Sequence, residues 1–200
     1  MAVKKRRKKS KKRAKRKIIL ISAMIIVLFT IIVLKFEGDL IKEEVFYPIK
    51  YEKYVEKYSN EYDVDKYLVY AIMKQESNFR SDAVSPADAR GLMQITQDTF
   101  NWLTPKLKSG NYKYEDIFNP AVNIRYGVLF ISVLEERYSD QRTVCAAYNA
   151  GMNITRRWLG DSNYSSDGIS LKNIPYEETA KYVDIVERNY EKYVEIYKVN

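Results

Sequence analysis

From Tyr51 onward, apolar and polar positions recur with helical spacing. Tyr51, Tyr54, Val55, Tyr58 and Tyr62 return at intervals of three and four, a stripe that reads as core packing. Asp63 or Asp65 supplies an N-cap for a second helix running through Tyr67 to Glu76, on which Leu68, Ile72 and Gln75 share a face. Residues 77–90 are rich in Ser, Asn, Asp and Pro and read as a loop. The pattern predicts a further helix over Gly91 to Asn101, with Leu92, Ile95 and Thr99 on one side, and a polar loop over Lys106 to Glu115. Asn119-Pro120 precedes a strong helix carrying Ile124, Val128, Ile131 and Leu134. Asp140 leads another through Val144, Cys145 and Tyr148, closed by Asn149-Ala150-Gly151 with Gly as a left-handed stop. After a polar loop over Asp161 to Asp167, Pro175 opens a final helix with Tyr182, Val186, Tyr190, Tyr193 and Tyr197 in one stripe. No run alternates with period two and no internal repeat is present, so the pattern predicts an all-α fold.

The first 50 residues follow a different logic. Residues 18–34 are apolar and uncharged. As a helix they reach about 26 Å, the short end of a membrane span, and Lys17, Lys35 and Phe36 extend it at the interfaces. A signal peptide would have a shorter apolar core and a small-residue cleavage site. Lys-Phe-Glu-Gly-Asp-Leu follows instead, so residues 18–36 read as an uncleaved anchor. Residues 37–55 read as a stalk and the start of the first helix, and residues 56–200 as the folded domain.

Charge sharpens this division. The formal net charge is +8, but 12 of the 34 Lys and Arg lie in residues 1–17, which hold no Asp or Glu. The rest of the chain carries 22 basic against 26 acidic residues, a net of −4. The basic tail precedes the span, which places it in the cytoplasm and the domain outside. It also suits attraction to anionic lipid head groups. A folded part with net negative charge does not read as a nucleic-acid-binding domain, and no nucleic-acid partner is expected.

Two scarcities exclude much chemistry. The chain has no His and one Cys, Cys145. Ser-His-Asp and Cys-His nucleophilic systems and His/Cys zinc sites are therefore excluded, as is an intrachain disulfide. Cys145 sits in a small apolar run and reads as a core thiol. Carboxylate, Tyr, Lys and amide chemistry remain.

Among the carboxylates Glu76 stands apart. It closes an apolar stripe at a helix C-terminus, where partial desolvation and the negative end of the helix dipole both raise a carboxyl pKa. A carboxylic acid protonated near neutral pH is what general-acid cleavage of a glycosidic bond needs. Spacing alone reads equally as a solvated helix-end Glu. The context decides. Glu76-Ser77, Ser85-Pro86, Gly91-Leu92-Met93-Gln94, Ala147-Tyr148-Asn149-Ala150-Gly151 and Ile174-Pro175-Tyr176-Glu177-Glu178-Thr179 follow in one order. This series resembles the catalytic domain of the soluble lytic transglycosylases, lysozyme-like enzymes that cut bacterial peptidoglycan. The resemblance covers roughly residues 56–197.

The resemblance implies a lysozyme-like α-helical domain acting on peptidoglycan glycan strands without a cofactor or metal. Glu76 would be the one catalytic residue, serving as acid and then base. Ser85 and Gln94 match positions that contact substrate near the cleaved bond, and by themselves read as a turn residue and a capping amide. Tyr148 and Asn149 match a Tyr-Asn pair in which the phenol lies close to the catalytic Glu; the plain alternative is a core aromatic and a helix-end amide. Tyr176 either flanks the sugar groove or packs. Glu178 matches a backbone-bracing position. Where the family has Gly-Ala before Gly-Leu-Met-Gln, this chain has Ala87-Asp88-Ala89-Arg90. Asp88 is then either a surface charge paired with Arg90 or a second carboxylate that favours hydrolysis, as in a goose-type lysozyme. A hydrolysing muramidase and a non-catalytic glycan-binding scaffold stay open beside the transglycosylase reading.

Overall fold

In a computed structural model, the described residues are 24–31, 33 and 45–198. The chain divides into two compact units, Met1–Pro48 and Ile49–Asn200. In the first, residues 24–31 and 33 are helical, and their apolar side chains, such as Phe29 and Leu28, are exposed. Among the described residues no helix is long and apolar enough to cross a membrane. The basic tail and residues 18–23, 32 and 34–36 of the expected anchor lie outside the described residues.

Among the described residues the second unit holds seven α-helices, here α1–α7, and two short 3-10 turns. Helix α1 (Glu52–Tyr62) buries Val55 and Tyr58 and ends at Asp63 in a left-handed conformation, φ 56°. Asp65, not Asp63, caps α2 (Lys66–Ser77) by accepting the Tyr67 N–H at 2.8 Å. Six consecutive residues of α2, Leu68 to Met73, are buried, so this helix runs through the core. Helix α4 (Pro120–Glu135) is the other core helix. Asn119 caps it by accepting the Ala121 N–H at 2.9 Å, Pro occupies its first turn, and Val122 through Ile131 are buried on every side. Helix α1 packs on α4, α5 (Gln141–Ala150) on α4, and the long α7 (Glu177–Tyr197) on both α2 and α5. Cys145 lies buried in α5, and burial pushes its thiol up to about 12.

The differences from the sequence reading have local causes. The helix expected from Gly91 starts only at Gln97 and ends at Leu103 (α3). Gly91 and Gln94 take positive φ, 76° and 49°, which no helix accommodates. Thr96 then caps α3 by accepting the Thr99 N–H. Two isolated bridges, Val84 to Arg90 and Arg90 to Ile95, pin the intervening loop. The expected polar loop over Lys106 to Glu115 is entered and left by 3-10 turns at Thr104–Lys106 and Tyr114–Phe118, which overlap its two ends. Gly151 does end α5, at φ 87° and ψ 147°, but the chain re-enters a helix at once, α6 (Met152–Leu159). Helix α7 begins two residues after Pro175, at Glu177.

Candidate active site

The last turn of α2 delivers Glu76 into a mostly buried position against α7. Burial pushes its carboxyl up to about 7, and a hydrogen bond from the Tyr182 hydroxyl to Oε1, 2.7 Å long, opposes part of that rise. The two influences are physically distinct. Low-dielectric surroundings penalise the anion, while a donor aimed at the carboxylate favours it. The balance leaves a carboxyl that can hold a proton near neutrality and release it within the same pH range.

The segment from Arg90 to Gln94 faces this helix end and is clasped by side chains of three helices. Ser77, next to Glu76, donates its hydroxyl to Leu92 O at 2.8 Å. Asn123 of α4, with no exposed surface, accepts the Met93 N–H at 2.7 Å and donates to Arg90 O and Ile117 O, each at 2.9 Å. Tyr148 of α5 donates to Met93 O at 2.8 Å. Gly91 is required where it stands, because its φ is 76° and a Cβ there would collide with the Asn123 side-chain amide. All of these bonds but the one to Ile117 O satisfy backbone groups of the non-helical Arg90–Gln94 segment.

The residues singled out from sequence take different places. Tyr148 lies buried beside Glu76, whose charge adds to burial in holding the phenol above its ordinary range. Its hydroxyl goes to Met93 O, however, and the phenol that holds the carboxyl is that of Tyr182. Helical spacing marks Tyr182 only as a member of the stripe along the last helix. The signal that could have found it is that a buried Tyr hydroxyl needs a partner, and Glu76 is the candidate on the facing helix. Gln94 spends both hydrogens of its side-chain nitrogen on Ala83 O (3.2 Å) and Gly91 O (2.9 Å), which fixes the orientation of its amide. Ser85 closes a turn: its hydroxyl oxygen accepts the Ala89 N–H at 3.1 Å. Asn149 is exposed and accepts the Thr179 hydroxyl at 2.8 Å, tying α5 to α7. Tyr176, 52% exposed, packs edge-on against Trp158 with ring centroids 5.0 Å apart. Among the described residues no hydrogen bond links Ser85, Asn149 or Tyr176 to Glu76.

Asp88 is committed elsewhere. Its two carboxylate oxygens accept from Arg90 Nε at 2.9 Å and Nη2 at 3.0 Å, a bidentate geometry. The Arg90 guanidinium in turn lies 4.4 Å from the Tyr114 ring centroid, and Tyr114 donates its hydroxyl to Asp88 O at 2.7 Å.

A mainly helical domain with a desolvated Glu facing a clasped Gly-Leu-Met-Gln loop has known counterparts. Residues 53–169 match the family described as the transglycosylase SLT domain. The chain is 30% identical over 140 residues to the soluble lytic murein transglycosylase of Salmonella typhimurium, covering 68% of this chain and 22% of that protein. It is 36% identical over 135 residues to the membrane-bound lytic murein transglycosylase C of Shigella sonnei, covering 62% of this chain and 36% of that protein. Among solved structures, an inactive Glu-to-Gln mutant of the lytic transglycosylase Slt from Pseudomonas aeruginosa superposes with a TM-score of 0.66. That match is 27% identical and covers 76% of this chain and 25% of the other. The chain therefore spans only about a fifth to a third of the length of these relatives. Over more than half of its own length, it belongs to the transglycosylase SLT domain family.

Proposed function

We propose that this chain is a membrane-anchored peptidoglycan lytic transglycosylase that cleaves the β-1,4 bond between N-acetylmuramic acid and N-acetylglucosamine. The observation that carries the reading is the Glu76 carboxyl, pushed up to about 7 by burial at the end of α2. Lytic transglycosylases are the similar proteins, and in one of them the inactive form is a Glu-to-Gln mutant. Glu76 first donates its proton to the leaving glycosidic oxygen. The substrate's acetamido group stabilises the cation developing at C1. The carboxylate so formed then takes the proton of the muramic 6-hydroxyl, whose oxygen attacks C1 and closes a 1,6-anhydro ring. Donation and return of one proton by one residue match a pKa near the operating pH. Gln94 Oε1, Ser85, Tyr148, Asn149 and Tyr176 belong to the sugar-binding surface in this reading. Mass spectrometry of muropeptides released by the full-length chain tests it: anhydro ends, lighter by one water than reducing ends, are expected. Reducing ends alone would make it a hydrolysing muramidase.

The pH profile follows from the same carboxyl. The acid form is needed first, so turnover should fall as pH rises through about 7, where Glu76 loses its proton. Tyr182 donates to the carboxylate and thereby favours ionisation, so Tyr182→Phe should move this alkaline limb upward. It should also lower maximal turnover by about tenfold, the worth of roughly 1.4 kcal/mol of positioning by one charge-assisted bond. A limb that stays in place or moves down would show that the bond does not set the Glu76 proton affinity.

Residues 18–36 serve as the anchor, with residues 1–17 in the cytoplasm against anionic lipid and the domain on the wall side. The apolar run and the charge asymmetry support this placement, and one similar protein is described as membrane-bound. A reporter fused after Asn200 should be active only outside the cytoplasm, with the full-length mass in the membrane fraction. A shortened, soluble product would show a cleaved signal instead.

A further inference from the structure

Helix α3 buries Phe100 and Leu103 but turns Trp102 outward, where it is 38% exposed. A single exposed aromatic is ordinary. This one ends a row of rings that leads to the catalytic carboxyl. Trp102 meets Phe130 with centroids 6.2 Å apart at 81°, and Phe130 meets Tyr148 at 4.9 Å. Tyr148 in turn bonds Met93 O, in the segment that Ser77, next to Glu76, holds through Leu92 O. Lys106, exposed at the end of the 3-10 turn after α3, holds its ammonium 5.0 Å from the Trp102 ring centroid. Tyr176, by contrast, is reached from Tyr148 through Asn149 and Thr179 on α7. The two exposed aromatics therefore both lead to Tyr148 of α5, Trp102 by way of α4 and Tyr176 by way of α7.

We infer that Trp102 and Lys106 form an outlying subsite for the glycan strand, in which the indole stacks on a pyranose ring and the ammonium pairs with the carboxylate of a muramic stem peptide. An indole suits a sugar because it offers a large rigid apolar face with little rotamer entropy to lose. A lysine beside it suits an anion carried by that sugar, and the muramic residue is the one that bears the acidic stem. The inference rests on the glycan-cleaving reading of Glu76 for its ligand, and the ring contacts through buried Phe130 are what bring Trp102 near Tyr148.

The test uses the full-length chain in detergent, carrying Glu76→Gln so that ligand persists. Binding of two tetrasaccharides is measured, one bearing stem peptides and one stripped of them. Trp102→Ala should raise Kd about tenfold for both, the effect of losing one stacked aromatic face, and Trp102→Phe should restore most of it. Lys106→Gln should weaken only the stem-bearing ligand, by about three- to tenfold. With Glu76 intact, Trp102→Ala should raise KM and leave kcat within about twofold. Unchanged Kd in a Trp102→Ala chain with native circular dichroism would overturn the subsite, and equal losses on both ligands in Lys106→Gln would overturn the stem contact. Trp102-dependent binding in a chain that never cleaves would keep the subsite and remove the transglycosylase reading. No binding of either ligand by any variant would overturn both.

Discussion

Replacing Glu76 by Gln should lower turnover on peptidoglycan by about 10²–10⁴-fold, the usual worth of a general acid or base, and by more where one residue serves both steps. The amide keeps the shape of the side chain and can still accept the Tyr182 hydroxyl, which now sits 2.7 Å from Oε1, but it has no proton to give. Stability should hold or rise. A Glu whose folded pKa is raised to about 7 by burial contributes stability below its unfolded pKa and loses it as pH rises through about 7, and the neutral amide escapes that loss. The same assay on Asp88→Ala separates the one-carboxylate mechanism from hydrolysis. Asp88 is held bidentately by Arg90 and no hydrogen bond among the described residues links it to Glu76, so its removal should leave anhydro products unchanged. Reducing ends in the wild type that vanish in Asp88→Ala would assign it as the second carboxylate of a glycosidase pair. Near-normal turnover by a folded Glu76→Gln chain would take Glu76 out of the mechanism.

The elements with long apolar stripes were legible in the sequence because burial and period coincide in them. The second helix through Glu76, the helix after Asn119-Pro120 and the helix led by Asp140 fall where the pattern put them, with Asp65, Asn119 and Asp140 as side-chain caps. Glu76 was legible from the ordered motifs that follow it, since its place at the end of an apolar stripe reads equally as a solvated helix-end Glu. The Gly91-to-Gln94 segment misled, because Leu92 and Ile95 sit at helical spacing although their burial is enforced by tertiary clasps and positive φ. Tyr182 and Asn123 were missed for one physical cause. Each acts through a partner distant in the chain, Glu76 for the first and the Met93 N–H and Arg90 O for the second. Periodicity reports which face is inward; it carries no information on which polar atom an inward residue will meet. Helix α6 escaped because Gly151 reads as a terminator, and eight residues with Thr155 and Trp158 buried give too short a stripe.

Asn123→Ala should lower stability by about 3–5 kcal/mol. The amide lies in α4 with no exposed surface and makes three bonds to backbone: the Met93 N–H, Arg90 O and Ile117 O. Truncation removes the side-chain partner of the Met93 N–H and of Ile117 O and leaves Arg90 O with the Ile95 N–H alone; each buried group left unpaired costs about 1–3 kcal/mol, with some relief from water entering the vacated space. Against a total of about 5–15 kcal/mol this is a large share, and for a domain of this size it corresponds to a melting temperature lower by about 10 °C. Asn123→Asp should also destabilise, since it keeps the acceptor for Met93 N–H but points a carboxylate at two carbonyl oxygens. Loss of an exposed cap gives the comparison: Asn119→Ala should cost about 1 kcal/mol. Turnover should fall with Asn123→Ala even below the melting transition, because the same carbonyls and N–H fix Met93, which receives the Tyr148 hydroxyl beside Glu76. Thermal unfolding and muropeptide release, measured on the full-length protein in detergent, check both parts. A melting temperature within about 2 °C of wild type, or full turnover in the destabilised variant, would show that the loop keeps its geometry without the Asn123 clasp.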